Sequence, residues 1–234
     1  MPSGADLVVF DIGATLVDGP SRGPARRIAE LASLDDEQRR LLGAALMTRD
    51  FGSPAGVAAF VREELGAGGS AVDAAVEEVW RAQTGDAAAV DGGAEALVAV
   101  AAAGYRVGLV SNIWQPYFEA ARVHFGAFFD AHVALELQVL SFRAGVAKPS
   151  PEPFRRLLSA AGVASARAVM VGDSYAYDIE PAAAIGMRTV WVLHRPEKEA
   201  EDLVRVLDGR AARPARTVRS IGSVDADLVA SLEA

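Results

Sequence analysis

The sequence predicts an α/β fold, a doubly wound parallel sheet with an inserted all-helical module. Two patterns carry this prediction. Short, valine-rich apolar runs recur along the chain and alternate with helical periodicity, as strands buried on both faces do. One long early stretch has no such run, and its apolar positions recur at helical spacing instead.

The first strand is Leu7–Phe10, ending abruptly on Asp11. From about Pro20 to Val90 the candidate helices are Pro24–Ala32, Asp36–Met47, Pro54–Leu65 and Ala71–Thr84. Pro24 and Pro54 sit near helix starts, where a fixed φ is favourable. Asp35 and Ser53 are placed to cap their helices, and the glycines at 66–69 separate the third helix from the fourth. An insert of this size far exceeds the roughly 2–6 residues of an ordinary βα loop, so it reads as a cap over a site. Ala94–Ala103 is a helix stopped by Gly104. The strands Val107–Val110, Ala131–Leu135, Ala168–Val171 and Thr189–Leu193 follow, then a short strand at Thr217–Val218 and a helix at Asp225–Leu232. The resulting organisation is a Rossmann-like core formed by residues 1–18 and 92–234, with an all-helical cap domain at 19–91.

The 234 residues suffice for one sizeable domain plus a small module. A hydrophobic content of 51% and a charged content of 23% argue against disorder. A net charge of −8 leaves no basic footprint for nucleic acid, so an anionic substrate must be attracted by a local feature. Having no cysteine, the chain has no disulfide, thiolate metal site or cysteine nucleophile. No basic and apolar leader opens the sequence, and no run approaches the roughly 20 apolar residues of a membrane span. The expectation is a cytoplasmic protein, monomer or homodimer, with no nucleic-acid or membrane partner.

In open α/β sheets, ligands bind beyond the carboxyl ends of the strands. Strand one ends on Asp11, with Thr15 nearby, and strand two on Ser111 and Asn112. The fourth ends on Gly172-Asp173-Ser174, with Asp178 just beyond. Lys148 lies in "GVAKPSPEPF" ahead of a helix and is one of only two lysines, the other being Lys198. Alone, each is an ordinary turn, cap or loop residue. In this order at strand ends they form a workable anion-plus-metal site.

These motifs resemble those of the haloacid dehalogenase-like hydrolase superfamily over nearly the whole chain. "VVFDIGATL" matches the family's Asp-x-Asp-x-Thr-Leu at Asp11 and Thr15 but not at Gly13; "VGLVSN" matches the second motif at Ser111. "GVAKPSPEPF" matches the third at Lys148, and "VMVGDSYAYDIEPAAAIGM" the fourth at Asp173 and Asp178. The resemblance implies a small phosphorylated substrate, an Mg²⁺ cofactor and a phosphoenzyme on Asp11. It implies that Asp11, Gly13 (through its carbonyl) and Asp173 ligate the metal, with Asp178 supporting that shell or orienting the lysine. Ser111, Asn112 and Lys148 bind substrate, and Lys148 also neutralises charge on nucleophile and phosphoryl group.

The family's second aspartate also protonates the leaving group and then activates water. Gly13 has no side chain for this, and general acid–base catalysis is worth roughly 10²–10⁴-fold. The expectation is activity confined to good leaving groups, or a donor borrowed from Asp18, Asp50 or Glu63. Two alternatives stay open, a non-catalytic descendant that binds a phospho-ligand or protein, and a metal-independent 2-haloacid dehalogenase. Asp173 argues against the dehalogenase, whose fourth motif reads Ser-Ser-Asn. The phosphonate-cleaving branch needs a cap lysine, and this cap has none.

His124, His132 and His194 lack metal-ligand spacing. Trp114 and Tyr117 either line the pocket or pack cap against core. The charge run starting at Arg195 reads as a solvated helix and a surface loop.

Overall fold

The computed structural model describes residues 4–232. Along the chain, β1 (Leu7–Phe10) and β2 (Val17–Asp18) precede helices α1 (Pro24–Ala32), α2 (Asp36–Thr48), α3 (Pro54–Glu63) and α4 (Ser70–Gly85). Then come β3 (Ala88–Ala89), α5 (Gly93–Ala102), β4 (Arg106–Ser111), α6 (Gln115–His132), β5 (Gln138–Leu140) and α7 (Ser141–Ala144). The remainder is α8 (Glu152–Ala161), β6 (Ala168–Gly172), α9 (Glu180–Ala184), β7 (Arg188–Val192), α10 (Ala200–Leu207), β8 (Arg216–Val218) and α11 (Ala226–Ser231).

Six strands form one sheet in the order β5-β4-β1-β6-β7-β8, every pair parallel. Counted among these six alone, the order is 3-2-1-4-5-6, so the chain winds away from β1 in both directions. This is the doubly wound α/β architecture that the alternation predicts. β1 is buried at every residue because it is central and covered on both faces. Helix starts follow local chemistry. The Asp35 carboxylate accepts the Gln38 N–H while the Gln38 side chain accepts the Asp35 N–H, a reciprocal capping box on α2. Ser53 accepts the Gly56 N–H ahead of Pro54 on α3.

The third predicted strand, Ala131–Leu135, is a correction. α6 continues through His132, Leu135 begins a 3₁₀ turn with 73% of its surface exposed, and the strand is Gln138–Leu140. The physical reason is pairing. Val139 and Leu140 are the buried residues that fall in register with Val110 and Ser111, whereas of Ala131–Leu135 only Val133 is buried.

Two apolar cores result. The larger packs both faces of the sheet and includes Phe10, Leu109, Phe129, Phe154 and Val169. The second lies within α1–α4, built from Ile28, Leu42, Leu46, Val57, Val61, Val76 and Val79. Trp114, just before α6, inserts into this second core edge-on to Trp80, with ring centroids 5.5 Å apart. The sheet connects to the helices through a two-stranded antiparallel stem, β2 with β3. No helix among the described residues is long and apolar enough to cross a membrane.

Phe154 is fully buried in the larger core. Phe154→Ala is expected to cost about 3–5 kcal/mol through lost transfer energy and a residual cavity. Urea unfolding checks this as a lower midpoint at unchanged slope.

Candidate functional site

Because the chain leaves β1 toward β4 on one side and β6 on the other, a crevice opens at the carboxyl ends of these strands. Strand geometry aims three polar residues into it. Asp11 follows β1 and is fixed by its N–H donating to the Val171 carbonyl at 3.0 Å. Ser111 ends β4, and Asp173 follows β6. Asp11 and Ser111 are buried. Asp11, Asp173 and Asp178 form an acidic cluster with carboxylate oxygens within 4.8 Å of one another.

Lys148 enters from the loop between α7 and α8, with 4% of its surface exposed. Its Nζ donates to Asp11 Oδ1 at 2.6 Å, Asp178 Oδ1 at 2.5 Å and the Val110 carbonyl at 3.0 Å. Those three bonds use all the ammonium hydrogens. Burial by itself drives an ammonium toward neutrality, but Asp11 and Asp178 more than offset this and hold Lys148 above its usual range. The Lys148–Pro149 bond is cis. Asn112 clamps the lysine backbone, its Nδ2 donating to the Lys148 carbonyl and its Oδ1 accepting the Lys148 N–H, both at 2.8 Å. Expected as a substrate contact, Asn112 thus engages both ends of its amide with the chain itself.

Asp178 is presented by a π-helical turn, Tyr175–Ile179. Its Oδ2 accepts the Ser174 N–H at 3.0 Å, so both oxygens are engaged. Complete burial and the nearby Asp11 and Asp173 push its pKa up to about 7 against the pull of Lys148. Gly172 makes the turn possible, because a Cβ there would collide with the Asp178 carboxyl group. Asp173 is also pushed up, by burial first and by Asp11, while Arg195 opposes the rise. The Thr15 hydroxyl accepts the Asp173 N–H at 3.1 Å and lies 3.3 Å from both Asp11 Oδ2 and Asp173 Oδ1, either of which can take its single proton. The Ser111 hydroxyl is buried with no hydrogen-bond partner, a group placed for a ligand oxygen.

Gly13 lies beside this cluster. A Cβ built on it would sit 3.5 Å from Tyr117 Cε1, an ordinary contact. The Tyr117 hydroxyl donates to the Val17 carbonyl at 2.8 Å, and burial together with Asp18 and Asp11 holds this phenol well above its usual pKa. Next to it, Ala14 adopts a left-handed φ of 60°, sparsely populated for a residue with a Cβ. Of the borrowed-donor candidates, Asp18 lines the cavity beside Gly13. Asp50 and Glu63 are exposed on the helical module, and Asp50 accepts the Gly52 N–H.

Arg195 escaped the sequence reading. It donates to Asp173 Oδ2 at 2.7 Å and to Asp18 Oδ1 at 3.2 Å. The missed signal is positional, since Arg195 lies three residues beyond the end of β7, at the same carboxyl edge of the sheet as Asp173. The histidines stay outside. His124 faces the Ala87 carbonyl, His132 packs on Phe128, and burial followed by Arg195 lowers the His194 pKa.

A family model for haloacid dehalogenase-like hydrolases matches residues 5–186. Over 104 residues the chain is 35% identical to a glyceraldehyde 3-phosphate phosphatase of Pyrococcus abyssi, covering 44% of this chain and 41% of the relative. Over 88 residues it is 41% identical to a phosphoserine phosphatase of Thermus thermophilus, covering 36% and 34% respectively. The matches therefore span well under half of each curated relative. The fold superimposes on a 2-haloacid dehalogenase of Pseudomonas syringae with a TM-score of 0.65, at 20% identity over 98% of this chain and all of the other.

Removing the ammonium leaves two buried carboxylates unpaired. Lys148→Met is expected to cost about 3–5 kcal/mol at neutral pH. An acid whose folded pKa is raised favours the folded state below its unfolded value, and that contribution is lost as pH climbs to the folded value. Without Lys148 the pull that opposes the rise of Asp178 is gone, so the deficit should shrink as pH falls from 7 toward 5. Urea unfolding of both proteins across that window checks the sign.

Proposed function

Because the chain belongs to the haloacid dehalogenase-like hydrolase family, we propose that it is a phosphatase acting on a small phosphorylated metabolite through Asp11. The carrying observation is one buried constellation: a carboxylate held by a lysine, an unpartnered serine hydroxyl, and a second acid within reach. The phosphatase names of the curated relatives support this reading.

The donor set suits magnesium, a hard cation that takes oxygen ligands and keeps several waters. Three carboxylates face one ammonium and one guanidinium, leaving an excess of oxygen donors and negative charge. Asp11, Asp173 and the Gly13 carbonyl would hold the ion, and it would neutralise charge where two anions meet. Asp178 positions Lys148 and restrains its charge. Asp11 attacks phosphorus; the phosphorus–oxygen bond to the leaving group breaks, and an acyl phosphate remains on the carboxylate. Ser111 donates to a phosphoryl oxygen, and the positive charge of Lys148, its hydrogens committed to Asp11, Asp178 and Val110, stabilises the charge developing beside Asp11. Water then attacks phosphorus, releasing inorganic phosphate and restoring Asp11. The helical module of 19–91 acts as the cap that excludes bulk water and faces the leaving group.

Gly13 keeps its carbonyl but supplies no proton, so departing groups of low basicity are favoured. An aspartate there has room at Cβ. Magnesium-dependent hydrolysis of p-nitrophenyl phosphate is expected, abolished in Asp11→Asn. Gly13→Asp should raise turnover of an alkyl phosphate by up to roughly 10²–10⁴-fold, with little change on the aryl ester. A wild type inactive on every phosphate ester, gaining activity only in Gly13→Asp, would instead indicate a ligand-binding descendant. Metal-independent chloride release from a 2-chloro acid would replace this function with dehalogenation.

A further inference from the structure

Beyond Gly13 lies a cavity of about 330 Å³ at the junction of sheet and helical module. Its walls include Gly13, Asp18, Gln83, Tyr117, Arg195 and Lys198. Tyr117 closes one side, with its hydroxyl tied to the stem. Gln83, from α4, has 3% of its surface exposed. Its Oε1 accepts the Trp114 indole N–H at 3.2 Å, which fixes the amide orientation and turns the NH₂ the other way. That Nε2 is buried and has no partner, and neither has the buried Arg195 Nε. Lys198, the second of the two lysines, is exposed where it lines the cavity and forms no ion pair among the described residues.

The unsatisfied groups thus share one polarity. They are donors, two of them buried and one a full cation at the mouth. A buried donor without a partner costs about 1–3 kcal/mol, and a ligand acceptor recovers it. The only carboxylate on these walls, Asp18, already takes Arg195. A neutral polyol needs as many acceptors as donors, whereas a carboxylate needs only donors. We infer that this cavity receives a leaving group bearing a carboxylate, bound by the Gln83 amide and the Lys198 ammonium. Gln83 is then a specificity-determining residue contributed by the helical module, and Trp114 positions it. The inference deepens the phosphatase reading and rests on it only for where the phosphoryl group sits.

The test uses two three-carbon probes differing in one group, 3-phosphoglycerate and glycerol 3-phosphate. Calorimetric binding to Asp11→Asn with magnesium avoids turnover. A charge-assisted hydrogen bond is worth about 1.5–3 kcal/mol, so the carboxylate probe is expected to bind at least tenfold tighter. In the Gln83→Leu background that preference should fall about tenfold. Gln83→Glu keeps the acceptor for Trp114 and replaces the donor by a negative charge, so the preference should vanish or invert. Lys198→Ala, at an exposed position that leaves folding intact, should reduce it severalfold. Equal binding of the two probes, no binding of 3-phosphoglycerate, or a preference untouched by all three substitutions overturns the inference. Inorganic phosphate separates the two readings. If it binds while the probes are not distinguished, the leaving-group pocket fails alone; if it does not bind, the phosphatase site fails too.

Discussion

The site depends on one ammonium group. Lys148 reaches through the protein to bond Asp11, Asp178 and the Val110 carbonyl at once, tying together the ends of β1, β4 and β6. Burying a charge costs several kcal/mol per ion, and that cost is recovered only when every hydrogen is well placed. Asn112 meets this condition by holding the lysine backbone from both sides. One ammonium cannot balance three carboxylates, so the crevice keeps an excess of negative charge. A second cation is therefore required there, and Arg195 supplies part of the compensation through Asp173. The same excess leaves the crevice rich in carboxylate oxygens within 4.8 Å of one another.

A second constraint sits at the start of α6. Within a few residues of Ser111, Trp114 enters the helical module's core and Tyr117 covers Gly13. This short segment belongs to sheet and helices together, so the two cores are not independent. A change in the packing of Trp114 is transmitted directly to Gln83 by the indole bond. The Tyr117 ring forms one wall of the cavity beside Gly13, at ordinary contact distance from where a Cβ would sit. Beside Gly13 the neighbouring wall is hydroxyl and aromatic in character.

The strand ends were the most legible part of the chain. An apolar run buried on both faces can give way to a charged residue only where that residue leaves the sheet, so Asp11 and Asp173 announced themselves, and Ser111 did so as the polar residue that closes β4. Lys148 stood out because the chain has only two lysines. The third strand was misplaced because Ala131–Leu135 is apolar in composition but not in burial. What selects Gln138–Leu140 is register with β4, a partner far away in sequence. Arg195 was passed over because a charge run looks solvated whether or not its first residue turns inward. Gln83 carried no local signal, and Asn112 stood out only by its place at a strand end, since an amide reads alike whether it clamps a backbone, holds an indole or faces a cavity.

By itself, then, the sequence determined the alternation of strands and helices, the all-helical insert, and the polar residues at the strand ends. Those features follow from local periodicity and from the cost of burying charge within a strand. Only the tertiary structure decided which groups share a proton or a bond: that Asp178 engages Lys148 with both oxygens occupied, that Arg195 joins Asp173, and that Gln83 keeps a buried, unpartnered amide nitrogen on a residue that lines the same cavity as Gly13. Hydrogen bonds and ion pairs are fixed to within tenths of an ångström by chain crossings distant in sequence. No periodicity along the chain encodes those distances.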